Sequence, residues 1–455
     1  MICGYKGVLM GKLFGTDGIR GIADQYPITE EMGIKLGRAV VQFCRKRDLN
    51  TSVVIGRDTR ISGEMLAGAV SEGIQSVGGK ALRSGVIPTP GVAFLARDLC
   101  AGAGIVLSAS HNPQEYNGFK IFSGKGYKLS EEEESEIENL IIGDIDPEQD
   151  SSAGSALDIE DEISKYIDFL KGTFPEISEP RDLKIVIDCS NGAASGVAPD
   201  IFKGLGFDIE VMFAEPDGKN INLNCGSQHT EALSRRVRDL SADMGLAFDG
   251  DADRLIAVDE KGDVLTGDQI LAICAKMLCD QGTLKNNLVV STVMSNMGLK
   301  PALKAMGVEH ISTQVGDRHV MEEMRKRGCS LCGEDSGHLI FADQHTTGDG
   351  IIAALQLVYA KINSGKAMSE LAALMTIYPQ ILINVKVESK PDIFGVSELV
   401  RVIKEAEQGL GEDGRVLVRY SGTEPLCRVM VEGKVKEDIE KYAQQIADII
   451  SEQLN

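Results

Sequence analysis

The sequence predicts an α/β protein of four domains, three of related mixed α/β topology and a smaller α+β domain at the C-terminal end. Three observations carry this. A strand–loop–helix–turn–strand pattern occurs three times, in "SVVIGRDTRISGEMLAGAVSEGIQSVGGKAL", "KIVIDCSNGAASGVAPDIFKGLGFDIEVM" and "NLVVSTVMSNMGLKPALKAMGVEHISTQV". Each is a β-branched run, a segment of helical period and a second such run, the pattern of a βαβ unit in a sheet covered by helices. After "KINSGKAMSELAAL" the grammar changes to "QILINVKVESK", "GRVLVRYSGTEPLCRVMVEG" and a terminal helix, "KEDIEKYAQQIADIISEQL". That reads as antiparallel strands with helices on one side. Finally, 455 residues are too many for a single core and suit several domains of ordinary size.

The elements follow in order. The first domain is expected over residues 1–155 and ends in the acidic, Ser/Gly-bearing stretch "SEEEESEIENLIIGDIDPEQDSSAGSALDIEDE", read as a solvated helix and loop. The second opens near "RDLKIVIDCSNG" and is placed at 156–258. The third is placed at 259–370 and the fourth at 371–455. The start, "MICGYKGVLMGKLFG", has no sustained apolar segment, so no signal peptide is expected, and no apolar run is long enough to span a bilayer. A cytoplasmic protein is expected. The cysteines sit mostly in apolar contexts such as "LAICAKMLCD" and read as reduced, buried thiols. Cys329 and Cys332, in "GCSLCGE", lack a second pair or histidines at zinc spacing. The net charge of −21 argues against a nucleic-acid or anionic-membrane partner. An anionic substrate would have to be held by local arginines, lysines and helix N-termini.

Four stretches carry chemistry. "GIVLSASHNPQEYNGFK" is a buried strand that ends on Ser110, His111 and Asn112, with Lys120 close behind. Ser110 is a candidate nucleophile, but no G-x-S-x-G elbow surrounds it. On extended backbone its neighbour His111 would point the other way, which disfavours a Ser–His hydrolase. "GLAFDGDADRLIAVDEKGDVLTGDQI" sets Asp249, Asp251 and Asp253 at alternate positions after an apolar strand. Three carboxylates so close repel unless a cation sits among them, and hard oxygen ligands suit Mg²⁺. The Gly and Glu that would complete an EF-hand loop are missing. "RYSGTEPLCRVMVEG" places Arg419, Ser421, Gly422, Thr423 and Arg428 around a turn between strands, a potential phosphate cradle. "LCGEDSGHLIFADQHTTGDG" offers Glu334, Ser336 and His338 between apolar segments; alone these read first as a loop whose polar groups are satisfied within the protein, and second as groups that bond sugar hydroxyls. Arg20 lies in the Gly-rich "LFGTDGIRGIAD". Arg57 and Arg60 flank Asp58 in "VIGRDTRISG", where structural ion pairing competes with a role in binding. These residues read together as Mg²⁺-dependent phosphoryl transfer on a polar metabolite, with Ser110 as the candidate carrier.

"SASHNP", "DGDADR", "GEDSGH" and "RYSGTEP", in that order and spacing, resemble the four active-site loops of the α-D-phosphohexomutases. "GKLFGTDGIRG", "NINLNCGSQHTEAL", "VGDRHV" and "TTGDGI" most resemble the branch of that family that acts on glucosamine phosphates. The resemblance runs from Gly11 almost to the C-terminus and implies a heart-shaped, four-domain enzyme. It implies that Ser110 carries the phosphoryl group and that Asp249, Asp251 and Asp253 hold Mg²⁺ with an oxygen of phosphorylated Ser110. Lys120 and Arg20 would serve in proton transfer, with His111 and Arg254 beside the transferring group. Glu334 and Ser336 would read sugar hydroxyls, and Arg419, Ser421, Gly422, Thr423 and Arg428 would clamp the distal phosphate.

The implied reaction interconverts glucosamine 6-phosphate and glucosamine 1-phosphate through a 1,6-bisphosphate, feeding UDP-N-acetylglucosamine synthesis. The bisphosphate would turn over within the cleft while the fourth domain moves. A homodimer is carried as an open expectation. Competing readings are a phosphomannomutase/phosphoglucomutase, a non-catalytic sugar-phosphate-binding protein and a serine-type phosphatase. Asp335 stands where that branch usually has Gln, and His319 where it usually has Tyr. Nine residues precede the family-like text, so Met10 is expected to be the natural start.

Overall fold

The structure, a computed structural model, describes residues 13–15, 17–143, 145, 154–177, 182–420 and 425–454. Residues 1–9, and with them the expectation about Met10, lie outside the described residues, as do Ser421, Gly422 and Thr423.

All three strand–helix–strand repeats form. They are Ser52–Arg57, Gly63–Ser76 and Lys80–Val86; Lys184–Asp188, Ala198–Gly204 and Asp208–Met212; and Leu288–Thr292, Leu299–Ala305 and Glu309–Thr313. In each, the two strands are parallel neighbours. A third parallel strand then pairs on the other side of the first: Ala103–Leu107, Met244–Phe248 and Leu331–Gly333. From its end the chain makes a loop and returns as an antiparallel strand: Tyr116–Ser123, Leu255–Asp259 and Leu339–Phe341. The three sheets therefore repeat one topology, second–first–third–return. Each third strand is buried along its whole length, which is why it reads as an unbroken apolar run. The loop leaving each third strand carries one of the three motifs singled out in this part of the sequence. It lies outside the carboxyl end of a parallel strand, where α/β sheets place ligand sites.

The acidic stretch after the first sheet forms the helix Glu131–Ile142, started by a capping box between Ser130 and Glu133. It is less solvated than expected at one point, because Glu134 is buried and receives Arg318 at 2.5 Å. Cys329 and Cys332 are buried in the core of the third repeat beside Met324. No helix among the described residues is long and apolar enough to cross a membrane.

Contacts divide the chain into two compact units. One runs to Ser295 and resumes over Met306–Leu374, holding the three α/β sheets. The other joins Met375 onward to Asn296–Ala305. In this second unit the strands Gln380–Lys386, Leu426–Gly433 and Gly414–Tyr420 form an antiparallel sheet in that order. The helices Ser397–Leu410 and Lys436–Leu454 cover one face through Leu399, Val402, Ile439, Ala443 and Ile446. The crossover of the third repeat belongs with this unit: Asn296 and Tyr378 exchange two hydrogen bonds of 3.0 Å, and Met297 N–H donates to Glu432 Oε1 at 2.7 Å.

Candidate active site

Ser110 sits in the loop leaving Ala103–Leu107, with φ of 53°. That left-handed conformation costs a non-glycine residue about 1–2 kcal/mol. It also changes where the side chain goes. Ser110 Oγ donates to Asp249 Oδ2 at 2.5 Å, and His111 Nδ1 lies 3.4 Å from the same Oγ. The expectation that Ser110 and His111 point apart is therefore wrong, because it assumed extended backbone. A Ser–His base pair still does not follow. Arg254 Nη1 donates to His111 Nδ1 at 3.2 Å. Burial, with repulsion from Arg254 and Arg20, pushes the His111 pKa down to about 4. The ring is neutral near pH 7, and its Nδ1 is engaged by a permanent cation.

Asp249, Asp251 and Asp253 occupy the equivalent loop of the second sheet. All three are buried, and one oxygen from each lies within 4.8 Å of the others. Asp249 Oδ1 accepts from Arg254 N–H at 3.2 Å. Asp251 Oδ2 accepts from Lys120 Nζ at 2.7 Å and Thr89 Oγ1 at 2.5 Å, and Asp253 Oδ2 accepts from Lys120 at 3.1 Å. The crowding drives Asp249 and Asp253 in opposite directions. Burial, then Asp253 and Asp251, hold the Asp249 carboxyl well above its usual range. Burial would raise Asp253 as well, but Lys120, His338 and Arg254 hold it well below. Asp251 Oδ1 and Asp253 Oδ1 are buried without a hydrogen-bond partner. A three-acid cluster with a buried Asp251 Oδ1 that accepts no hydrogen bond, and an Asp253 Oδ1 with cations no nearer than 3.7 Å, fits a hard divalent cation.

A second ring of charge surrounds the acids. Asp17 bonds Arg20 and Lys128, and its Oδ2 lies 3.3 Å from Lys120 Nζ. Lys128 continues to Asp317. Burial opposes the charge on Lys120, but Asp17, Asp251 and Asp253 together hold its pKa well above the usual value. Burial likewise opposes the charge on Arg20, and Asp17 and Asp251 outweigh it.

The third loop, Glu334 to His338, adjoins the acidic loop. Leu255 N–H donates to Gly337 O at 3.0 Å, and a Cβ on Gly337 would stand 2.1 Å from Leu255 O. With φ of 89°, that position requires glycine. Glu334 Oε1 accepts from Gly316 N–H at 3.2 Å, and Ser336 Oγ donates to Glu334 Oε2 at 3.3 Å. His338 is buried between Asp253 and Asp317, 3.7 Å from each. Burial would lower its pKa, and those two acids raise it. Its side chain therefore faces the interior charge cluster. Asp335 Oδ1 is buried with no partner. His319 lines a recess of about 240 Å³ with Phe14, Val315 and Gly316.

One unit thus gathers Ser110, His111, Lys120, Arg20, the three aspartates, Glu334 and Ser336. Arg419 and Arg428 lie in the other, facing each other across paired strands. Burial and then the Arg428 charge lower the Arg419 pKa. Two cations held side by side in this way suit an anionic ligand.

Sequence reasoning missed Asp17, Lys128 and Thr89. Asp17 lies in the Gly-rich "LFGTDGIRGIAD", three residues before Arg20, a spacing that allows an ion pair. Thr89 carries no local signal, since its contact with Asp251 spans 162 positions. Arg60 is fully buried and paired with Asp58 at 2.9 Å, so the ion-pairing reading holds there. Arg57 pairs with Glu64 at 2.6 Å.

Four family models match in sequence: phosphoglucomutase/phosphomannomutase α/β/α domain I over residues 11–146, domain II over 164–262, domain III over 266–378 and the C-terminal domain over 382–449. The chain belongs to the phosphoglucomutase/phosphomannomutase family. Among its relatives, the phosphoglucosamine mutase of Syntrophus aciditrophicus is 52% identical over 98% of this chain and 100% of its own length. That of Syntrophobacter fumaroxidans is 54% identical over 97% and 99%. Solved structures agree on the fold. A family protein from Burkholderia thailandensis superposes with a TM-score of 0.81 at 23% identity, covering 98% of both chains. The N-acetylphosphoglucosamine mutase of Aspergillus fumigatus, solved with GlcNAc-6P and magnesium, gives 0.72 at 16% identity over 97% and 96%.

Proposed function

We infer that this chain is a phosphoglucosamine mutase, an isomerase interconverting glucosamine 6-phosphate and glucosamine 1-phosphate. The observation that carries phosphoryl transfer is Ser110 Oγ bonded at 2.5 Å to a buried cluster of three carboxylates. The substrate class rests on the relatives sharing half their residues over nearly full length. The phosphomannomutase/phosphoglucomutase alternative is not favoured by those relatives.

In this reading Ser110 delivers a phosphoryl group to the free hydroxyl of a hexosamine monophosphate. It then takes the other phosphate back from the resulting 1,6-bisphosphate. Asp249, Asp251 and Asp253 would hold Mg²⁺. When bound, the ion supplies charge neutralisation for the phosphoryl oxygens, the dominant need of such transfers. Lys120 and Arg20, both tied to the acidic cluster through Asp17 and Asp251, are the groups proposed to hold or hand over the proton of the reacting hydroxyl. Burial, helped by Arg254, keeps His111 neutral beside Ser110. Glu334 and Ser336 would accept and donate to sugar hydroxyls, and Glu334 also suits the C2 ammonium. Arg419 and Arg428, with Ser421, Gly422 and Thr423, would clamp the distal phosphate. The domains are proposed to span 1–155, 156–258, 259–370 and 371–455, working on a soluble metabolite in the cytoplasm.

The test is kcat/KM for glucosamine, glucose and mannose monophosphates on one enzyme preparation, with peptide mass spectrometry of Ser110. The amino sugar should lead by about tenfold to a hundredfold, as one charge-assisted hydrogen bond contributes roughly 1.5–3 kcal/mol. Phosphate should be found on Ser110, and Ser110→Ala should be inactive. A clear win for glucose or mannose phosphate would overturn the substrate; an active Ser110→Ala would overturn the carrier.

A further inference from the structure

The Ser110 loop is gripped by two side chains that have no part in the chemistry above. Arg60 is fully buried, and its Nε donates to Asp58 Oδ2 at 2.9 Å. Its Nη2 donates to Ser110 O at 3.0 Å and Asn112 O at 2.8 Å. Its Nη1 donates to Tyr116 O at 3.0 Å and also to Pro113 O. Asp58 closes the circuit: it accepts from Ser108 Oγ at 2.7 Å, and Ser108 Oγ accepts from Ser110 N–H at 2.9 Å. From the second repeat, Asn222 Nδ2 donates to the same two carbonyls, Ser110 O at 2.9 Å and Asn112 O at 3.0 Å. Its approach depends on Gly250, in the acidic loop: a Cβ there would lie 2.6 Å from Ser110 O and 2.9 Å from Asn222 Nδ2.

The chemistry of the grip follows from the backbone. A serine at φ of 53° persists only where its surroundings over-determine it. Here the Ser110 carbonyl is met by donors from two sides, and the Ser110 N–H is held by Ser108. Without them the residue relaxes toward extended backbone, where successive side chains alternate, and Oγ swings away from Asp249. The structure assigns Arg60 and Asn222 a positioning role: together they hold the Ser110 loop in the conformation that brings Oγ to the carboxylate cluster. This rests on the reading of Ser110 as the phosphoryl carrier. A guanidinium is required at residue 60, because a planar fork reaches four carbonyls and the point charge of a lysine does not.

The experiment is steady-state kinetics and thermal melting of the full-length Asn222→Ala, Arg60→Lys and Ser110→Ala variants with the amino-sugar phosphate. A displacement of about 1 Å at a reacting atom costs on the order of 10²-fold in rate. Asn222→Ala, which leaves Arg60 in place, should lower kcat by about tenfold with KM within about twofold. Arg60→Lys should lower kcat by about a hundredfold or more. If Arg60→Lys does not fold, Asn222→Ala decides alone. Asn222→Ala with near-normal kcat, or with kcat and KM impaired in step, overturns the positioning role while Ser110→Ala remains inactive. An active Ser110→Ala overturns the underlying reading of the carrier instead.

Discussion

Replacing Asp249 by Asn should stabilise the metal-free protein and shrink the stability that Mg²⁺ adds, relative to wild type. Two unit charges 4.8 Å apart repel by roughly 3.5 kcal/mol at an effective dielectric of about 20. Asp249 has two such neighbours, while the Lys120 ammonium contacts Asp251 and Asp253 rather than Asp249. The metal-free cluster either bears that repulsion or relieves it by protonating Asp249, and an amide removes the cost in both cases. The amide also keeps the local bonds: its oxygen still accepts from Arg254 N–H, and its nitrogen can donate to Ser110 Oγ in place of the present bond. After discounting for the surrounding cations, a gain of about 1–3 kcal/mol is expected at neutral pH, or a few degrees in melting temperature. The sign with pH is set by the raised carboxyl of Asp249. Its contribution to wild-type stability is present below the unfolded aspartate value, about 4, and is lost as pH rises. The advantage of Asp249→Asn should therefore vanish near pH 4 and grow above it. With Mg²⁺ at about a hundred times its dissociation constant, wild type gains about 2.7 kcal/mol, and the variant, one anionic ligand short, gains less. The assay is thermal melting of both proteins in EDTA and in excess Mg²⁺. A variant that melts below wild type in EDTA, or that shifts equally with Mg²⁺, would refute the reasoning.

Two further perturbations follow from buried groups. His345 is buried, donates to Pro90 O at 3.0 Å and accepts from Thr346 N–H at 2.7 Å, and burial pushes its pKa down to about 4. Its contribution is present above the unfolded value of about 6.5 and is lost as pH falls toward 4, amounting to roughly 2 kcal/mol at pH 5; His345→Gln should flatten the loss of melting temperature between about pH 7 and pH 5, and an unchanged slope would refute this. Asp335, next to Glu334 with a buried Oδ1 that has no partner, is proposed to face the C2 ammonium as well; Asp335→Gln should then lower kcat/KM for the amino-sugar phosphate about tenfold more than for glucose phosphate. Equal effects on both sugars would show that Asp335 does not read C2.

The sequence by itself determined the three repeats and the loops that leave their third strands. β-branched runs followed by helical period leave few topologies once crossovers must pack back on the same sheet. It also determined that three carboxylates within five residues must meet a counter-charge, since their covalent spacing keeps them close whatever the fold. Tertiary structure decided what those loops do to one another. The orientation of His111 relative to Ser110 followed from a left-handed φ that Arg60 and Asn222 impose from 50 and 112 positions away. Thr89 reached Asp251, and Lys128 bridged Asp17, 111 positions away, and Asp317, 189 positions away, because the packed repeats deliver their loops to one place. His338 turned inward to two acids that no local pattern puts beside it. The crossover helix Leu299–Ala305 packed with the C-terminal sheet, although its sequence belongs to the third repeat. The physical reason is common to all of these. Local backbone preference and hydrophobic period are properties of neighbouring residues, whereas desolvated hydrogen bonds and buried charges are settled by whichever partner the packed chain brings within about 3 Å.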